Sequence, residues 1–391
     1  MIPRIAEETL RRYAGGFPVI CITGPRQSGK TTLAKLAFPK KQYFSLEDPD
    51  TQLLARSDPR GFLDQLSWPD GLILDEAQYL PEIFKYIKAT VDNDPKPGRY
   101  IITGSQQFSL MEKITESLAG RASFLTLLPF SLAELASAPE AGSPLSVENP
   151  WELMIKGLYP PLYDRDLSPQ DFYAAYIASY VERDLRQLVN VKDLSTFQSF
   201  IKFCAARTGG VLNLSSLASD CGITHNTVKA WISVLSISGI IYLLRPYYKN
   251  FGKRLVKSPK LYFTDPGLAC RLLGIQTAEQ LFLSPLRGSL FEGFIISELL
   301  KNRLNRGETP ELWFWRDNND MEIDCLIGGA EKLVALEIKS GKTFSDEMTN
   351  GLERWSKIYT EGGDRLLVYA GLQKSVYKGI KLLPWKDIVN L

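Results

Sequence analysis

The run Gly24-Pro25-Arg26-Gln27-Ser28-Gly29-Lys30-Thr31 restricts this chain more than any other feature, because it follows the apolar run Val19–Thr23 and opens a helical pattern. Gly-x4-Gly-Lys-Thr between a strand and a helix is a P-loop. Its glycines let backbone amides turn inward around phosphates, and the helix N-terminus adds positive potential. Lys30 is suited to the β- and γ-phosphates and the Thr31 hydroxyl to Mg²⁺. ATP and Mg²⁺ are therefore the expected ligands, held by Gly24, Pro25, Arg26, Gln27, Ser28, Gly29, Lys30, Thr31 and Thr32.

A P-loop needs a second carboxylate for the magnesium shell. Gly71-Leu72-Ile73-Leu74-Asp75-Glu76 supplies it at the end of a buried strand, where side chains meet the ligand crevice. Asp75 would hold Mg²⁺ through water, and Glu76 would activate the attacking water as a base. The pair argues against a small-molecule kinase, which has no use for a water-activating glutamate. Residues 15–128 alternate apolar runs with helical patterns, the rhythm of a parallel sheet covered by helices. Strands are expected at Val19–Thr23, Gln42–Ser45, Leu72–Asp75, Tyr100–Thr103 and 123–127, with helices beginning near Lys30, Asp50, Leu80 and Gln107.

At 391 residues the chain exceeds one ordinary core. The Ser/Ala/Pro/Gly-rich segment 136–150 reads as a linker, residues 151–245 as mostly helical, and residues from about 255 as mixed. Three modules follow: 1–135, 151–250 and 255–391. A formal charge of +2 neither demands nor forbids nucleic acid. No apolar run is long enough to span a bilayer, and the first residues lack the apolar core of a signal peptide. The five cysteines are scattered without CxxC spacing, which argues against zinc and disulfide frameworks and makes the cytosol the natural compartment.

Residues 214–235 read as a helix-turn-helix. Leu217 and Ala218 pack the first helix, Gly222 takes the turn, Thr224 caps the second helix, and Ile223, Val228, Ile232 and Leu235 face inward. His225, Asn226, Thr227 and Lys229 are left exposed, types able to reach base edges or phosphates. Strands of a wing are expected from Ser238 to Leu244, followed by Arg245, Lys249, Lys253, Arg254 and Lys257 among Tyr247, Tyr248 and Phe251. Basic residues interleaved with aromatics suit phosphate contact. DNA is the expected partner, with a purely structural role as the alternative. His225, the only histidine, lacks the company a metal cluster would need.

In the last module Asp324 lies in one strand and Glu337-Ile338-Lys339 in the next. Alternate strand residues share a face, so Glu337 and Lys339 point the same way. A turn at Gly328-Gly329 brings Asp324 and Glu337 together. Two or three oxygen ligands plus water make a Mg²⁺ site, and a lysine can orient the attacking water.

The chain resembles a family of bacterial and archaeal AAA-type ATPases whose C-terminal part is the domain of unknown function numbered 4143. Thr23-Gly24-Pro25-Arg26-Gln27-Ser28-Gly29-Lys30-Thr31-Thr32, Leu74-Asp75-Glu76-Ala77-Gln78, Ile102-Thr103-Gly104-Ser105, Leu118-Ala119-Gly120-Arg121, Leu128-Pro129-Phe130-Ser131 and Phe291-Glu292-Gly293-Phe294 carry the resemblance. It implies an α/β fold: a parallel-sheet AAA-type domain, a helical and winged-helix module, and a domain similar to PD-(D/E)xK nucleases (restriction-endonuclease-like). In that pattern Glu292 on a helix joins Asp324 and Glu337 as metal ligands, beside Lys339. AAA-type enzymes place the lytic water with a polar residue after the acidic strand, here Thr103 or Ser105; an ordinary strand-ending turn is the alternative. They also carry an arginine finger at the position of Arg121, acting in a neighbour's site within a homo-oligomer, with a solvated surface arginine as the alternative. The leading expectation is an ATP-driven, DNA-associated protein. The other is a nucleotide-dependent switch whose C-terminal half is a protein-binding scaffold without nuclease activity.

Overall fold

The computed structural model describes residues 2–64, 70–104, 117–137, 149–184, 194–247, 257–317, 321–328 and 332–391. Val19–Thr23 (β1), Gln42–Ser45 (β2), Leu72–Asp75 (β3), Tyr100–Thr103 (β4) and Ala122–Thr126 (β5) form one parallel sheet in the order β2-β3-β4-β1-β5. The three inner strands are buried throughout, as both faces are covered by helices and their sequences run apolar without alternation. The edge strand β5 starts one residue before the 123–127 expected. It is only partly buried, so its apolar residues mark its register poorly. The parallel order brings the C-terminal ends of β1, β3 and β4 to one crevice, with β4 between the P-loop strand and the acidic strand.

Helices follow the first sheet, among them Pro150–Lys156, Pro169–Tyr176 and Leu194–Ala206. Leu214–Cys221 and His225–Ile237 then form the helix-turn-helix. Gly222 ends the first helix at φ 65° and the Thr224 side chain accepts from the Thr227 amide. The hairpin Ile241–Pro246 (β6) and Lys260–Phe263 (β7) comes next, and a lone bridge ties Val211 to Lys260. Lys249, Lys253, Arg254, Tyr248 and Phe251 lie outside the described residues. So do Ser105, the helix start expected near Gln107, Gly329, and residues 138–148 of the expected linker.

A second, mixed sheet continues from the hairpin. Its strands are Leu312–Arg316 (β8), Glu322–Ile327 (β9), Val334–Lys339 (β10), Arg365–Tyr369 (β11), Ser375–Tyr377 (β12) and Ile380–Pro384 (β13), ordered β12-β13-β11-β10-β9-β8-β6-β7. Arg245 and Pro246 of β6 pair in parallel with Trp313 and Phe314 of β8. The hairpin thus belongs to the same sheet as residues beyond 255, although the sequence pattern changes there. An isolated hairpin is marginal, and pairing removes an exposed edge.

The helix Arg287–Asn305 is buried along most of its length because it lies between the two sheets, touching β5 on one side and β7 and β10 on the other. Its polar residues carry that contact. Glu298 accepts from the Leu132 amide at 2.6 Å and pairs with Lys301 at 2.8 Å, and Lys301 donates to the Phe130 carbonyl at 3.1 Å. From the opposite side Arg4 donates to Glu134 at 2.9 Å, to the Leu128 carbonyl at 2.7 Å and to the Ser28 carbonyl at 2.8 Å. The segment leaving β5 is therefore bonded both to the P-loop, through Arg4, and to the helix Arg287–Asn305.

Candidate functional sites: a phosphate loop and a carboxylate centre

The phosphate loop is built by backbone shape. Gly24 has φ 138°, and a Cβ there would run into the Leu127 carbonyl, so the loop requires glycine at this point. Gln27 and Gly29 also have positive φ, at 62° and 94°, which turns successive amides into a concave nest. Lys30 opens the helix Lys30–Ala37 and is buried, its Nζ donating to the Gly24 carbonyl at 3.0 Å and the Pro25 carbonyl at 2.8 Å. Burial lowers its pKa to about 8, against the raising effect of Glu76 and Asp75. The Ser28 hydroxyl is buried without a hydrogen-bond partner. A cation folded onto its own loop and an orphaned hydroxyl beside it fit a phosphate group, which would satisfy both. Gln27 and Thr32 are exposed at the rim, and the Arg26 guanidinium lies 5.9 Å from the Tyr180 ring. Gly239, in the turn after helix His225–Ile237, faces Pro25: a Cβ there would approach the Pro25 ring to 3.0 Å. The loop is thus packed directly against the helix-turn-helix.

Asp75 collects hydroxyls. Its carboxylate accepts from Thr31 at 2.9 and 3.0 Å, from Tyr43 at 2.8 Å, and from Thr103. A threonine hydroxyl beside a strand-end carboxylate is a donor set that fits Mg²⁺. Thr103 is fully buried and turned toward Asp75, with Ser105 outside the described residues. Glu76 adopts left-handed backbone, φ 51°, at a cost of about 1–2 kcal/mol for a residue with a Cβ. Its carboxylate accepts from the Gln78 side-chain amide. Tyr43 and Gln78 received no role from the sequence. Gln78 stands within the acidic motif, but a tyrosine on an edge strand reveals its partner only once β2 is paired with β3.

Arg121 sits at the opposite end of the sheet. It precedes β5, whose first residue pairs with Val19, the first of β1, whereas the P-loop leaves the far end of β1. The five residues of β1 span about 16 Å, so Arg121 is remote from the phosphate loop of its own chain. It forms an ion pair with Asp92 and is about one-third exposed. On the helix-turn-helix, His225, Asn226 and Lys229 are exposed, while Thr227 is half-buried and its hydroxyl lies 2.8 Å from that of Thr224.

In the second sheet, β9 and β10 are antiparallel with Leu336 opposite Cys325, a register that sets Glu337 opposite Asp324. Asp324 accepts from the Ile338 amide at 2.7 Å; Lys339 lies 2.6 Å from Glu337 and 3.5 Å from Asp324. The Glu337 carboxyl is pushed well above the usual range, by burial first and the Asp324 charge second. Glu292, on the Arg287–Asn305 helix, accepts from Lys260 at 2.9 Å and from the Tyr262 hydroxyl. Burial raises it to about 7, with Lys260 opposing and Asp324 adding to the shift. Lys260 also bonds Glu322. Neither Lys260 nor Glu322 was singled out in the sequence, because Lys260 lies on a hairpin strand at the start of the module, far from the ExK motif, and Glu322 lies outside the ExK spacing. Paired carboxylates with a lysine alongside fit a divalent ion at Asp324 and Glu337.

Residues 16–136 match the AAA domain family, residues 147–279 a domain of unknown function (DUF8612), and residues 287–388 another (DUF4143). The Mycobacterium tuberculosis uncharacterized protein Rv2008c and the Mycobacterium bovis uncharacterized protein Mb2031c are each 32% identical to this chain, over 87% of it and 74% of the relative. Among solved structures, the Walker-type ATPase PABY2304 of Pyrococcus abyssi is similar over 68% of this chain and 94% of its own, with a TM-score of 0.42 and 16% identity. The Holliday junction branch migration motor RuvB of Thermotoga maritima is similar over 61% and 88%, with a TM-score of 0.28 and 16% identity. Among the described residues, no helix is long and apolar enough to cross a membrane. With a P-loop, an acidic strand and relatives matched along most of its length, the chain belongs to the family of Rv2008c and itself carries an AAA-type P-loop ATPase domain and a DUF4143 domain.

Proposed function

We propose that this protein hydrolyses ATP and acts on DNA, with a winged helix between the ATPase domain and a PD-(D/E)xK-like nuclease centre. The observation that carries the DNA reading is the convergence of Asp324, Glu337 and Lys339 on adjacent strands. Support for a winged helix comes from the order of elements: a helix, a one-residue bridge at Val211, the helix-turn-helix, then the hairpin. In the ATPase domain, Lys30 and the loop amides would bind the phosphates and Thr31 and Asp75 would hold Mg²⁺. An ion held there would neutralise charge developing on the phosphates. Tyr43 and Thr103 fix the Asp75 carboxylate, and Glu76, released from Gln78, takes a proton from the lytic water. At the second centre Asp324 and Glu337 would hold a divalent ion, and Lys339 would orient the attacking water.

Supercoiled plasmid nicking in Mg²⁺ or Mn²⁺ tests this centre. Asp324→Ala should abolish nicking and leave ATP turnover nearly unchanged, since Asp324 makes no contact with the phosphate loop. Ca²⁺ should permit binding with little cutting, because its looser coordination suits the site poorly. Equal nicking by both proteins would mark a contaminant. No cleavage of single-stranded, duplex or branched DNA with any metal would favour the scaffold alternative.

Arg121 is assigned to a neighbour's nucleotide site, given its distance from its own. Arg121→Ala should then bind ATP normally and turn over slowly, by about 10³-fold or more if the finger is typical. Mixing it with Lys30→Ala should restore part of the activity, as intact fingers meet intact sites at mixed interfaces. An active protein that stays monomeric at assay concentration would remove the assignment.

A further inference from the structure

Lys260 stands where a cation would otherwise be needed. It lies on β7 and is 2% exposed, with its Nζ bonded to Glu292 at 2.9 Å and to Glu322. Oxygens of Glu292, Glu322 and Asp324 come within 4.8 Å of one another, a spacing that one cation can bridge. An ammonium already fills that space. The Tyr262 hydroxyl, two residues along the same strand, occupies the same Glu292 oxygen. Arg316 reaches the other oxygen of Glu322 at 3.4 Å. A metal ion taking that Glu292 oxygen would have to displace the ammonium and the phenol together, leaving the buried ammonium beside the ion's own positive charge with Glu322 as its remaining carboxylate partner.

We propose that Lys260 is a built-in counter-cation for Glu292 and Glu322, so that this half of the centre takes no divalent ion and Glu292 is not a metal ligand. The centre then holds a single ion, at Asp324 and Glu337; that part rests on the metal-site reading given above. Two features separate this arrangement from a second metal site. The lysine is delivered by the hairpin next to the helix-turn-helix, not by the strands that carry Asp324 and Glu337. Its backbone is also held by pairing on both sides, to Leu244 in β6 and to Val211, so the strand presents the side chain to the carboxylates from a fixed position.

The test counts Mn²⁺ ions bound by the nucleotide-free full chain, read from the loss of the free-ion paramagnetic resonance signal. The unaltered chain should bind one ion, lost in Asp324→Asn. Glu292→Gln, a near-isosteric change, should keep that one ion. Lys260→Met should bind a second, since it removes the charge and frees the oxygens. Two ions in the unaltered chain, one of them lost in Glu292→Gln, would overturn the inference and leave the metal site at Asp324 standing. No ion in the unaltered chain but one in Lys260→Met would uphold the inference and remove the Asp324 site. No ion in either, or an unchanged count in a folded Lys260→Met, would overturn the inference. Should Lys260→Met fail to fold, as judged by circular dichroism, Lys260→Gln takes its place in the same comparison.

Discussion

Glu76→Gln is expected to bind ATP as tightly as the unaltered chain and to hydrolyse it about 10²–10⁴-fold more slowly, the usual contribution of a general base. The substitution keeps the size and the hydrogen bond from Gln78 but removes the proton acceptor. Lys30→Ala should behave in the opposite way, losing tight binding, because it removes the buried ammonium that donates to the Gly24 and Pro25 carbonyls and would face the phosphates. Equilibrium binding of a fluorescent ATP analogue beside steady-state phosphate release separates the two effects. Full turnover by Glu76→Gln would remove Glu76 as the base. Tight binding by Lys30→Ala would mean that the amides of the nest suffice without it.

Lys301→Ala should destabilise the fold by about 3–5 kcal/mol, the typical cost of leaving a buried partner charge unpaired. Both members of the pair are 1% exposed, and Glu298 is also the acceptor for the Leu132 amide. Burial already raises the Glu298 pKa, and Lys301 is the strongest effect opposing that rise. Without Lys301 the folded-state value moves higher still, above the unfolded value of about 4.3. A raised folded value favours the folded state below the unfolded pKa, and that advantage disappears as pH rises through the folded pKa. The deficit of Lys301→Ala should therefore be larger at pH 8 than at pH 5, measured by urea denaturation. Glu298→Gln combined with Lys301→Met should recover part of the loss. A deficit below about 1 kcal/mol, the range of exposed pairs, would show that water reaches the site.

The first sheet was legible because its inner strands are buried on both faces and therefore run apolar without interruption, as in Ile73-Leu74 and Ile101-Ile102. The phosphate loop was legible because its backbone geometry admits few residues. The helix-turn-helix could be read from Gly222 and Thr224, each required by its local conformation. Contacts made across long separations left no such signature. Nothing about Arg4 in the sequence distinguishes it from a surface arginine, yet it joins Ser28, Leu128 and Glu134. Glu298 and Lys301 look like an ordinary exposed i,i+3 pair and are instead buried between the sheets. Tyr43 and Lys260 meet their carboxylates only after strand pairing, so neither Asp75's third hydroxyl nor the cation at Glu292 could be anticipated from spacing.

The packing of Gly239 on Pro25 puts the phosphate loop in direct contact with the turn that follows the helix His225–Ile237. Gly239 sits at φ 72° two residues beyond the end of that helix, while His225 and Asn226 begin it about 18 Å away along its axis at 1.5 Å per residue. Any shift of Pro25 must move its glycine neighbour or part from it. A rigid helix would carry any displacement at this contact to His225 and Asn226 at its other end.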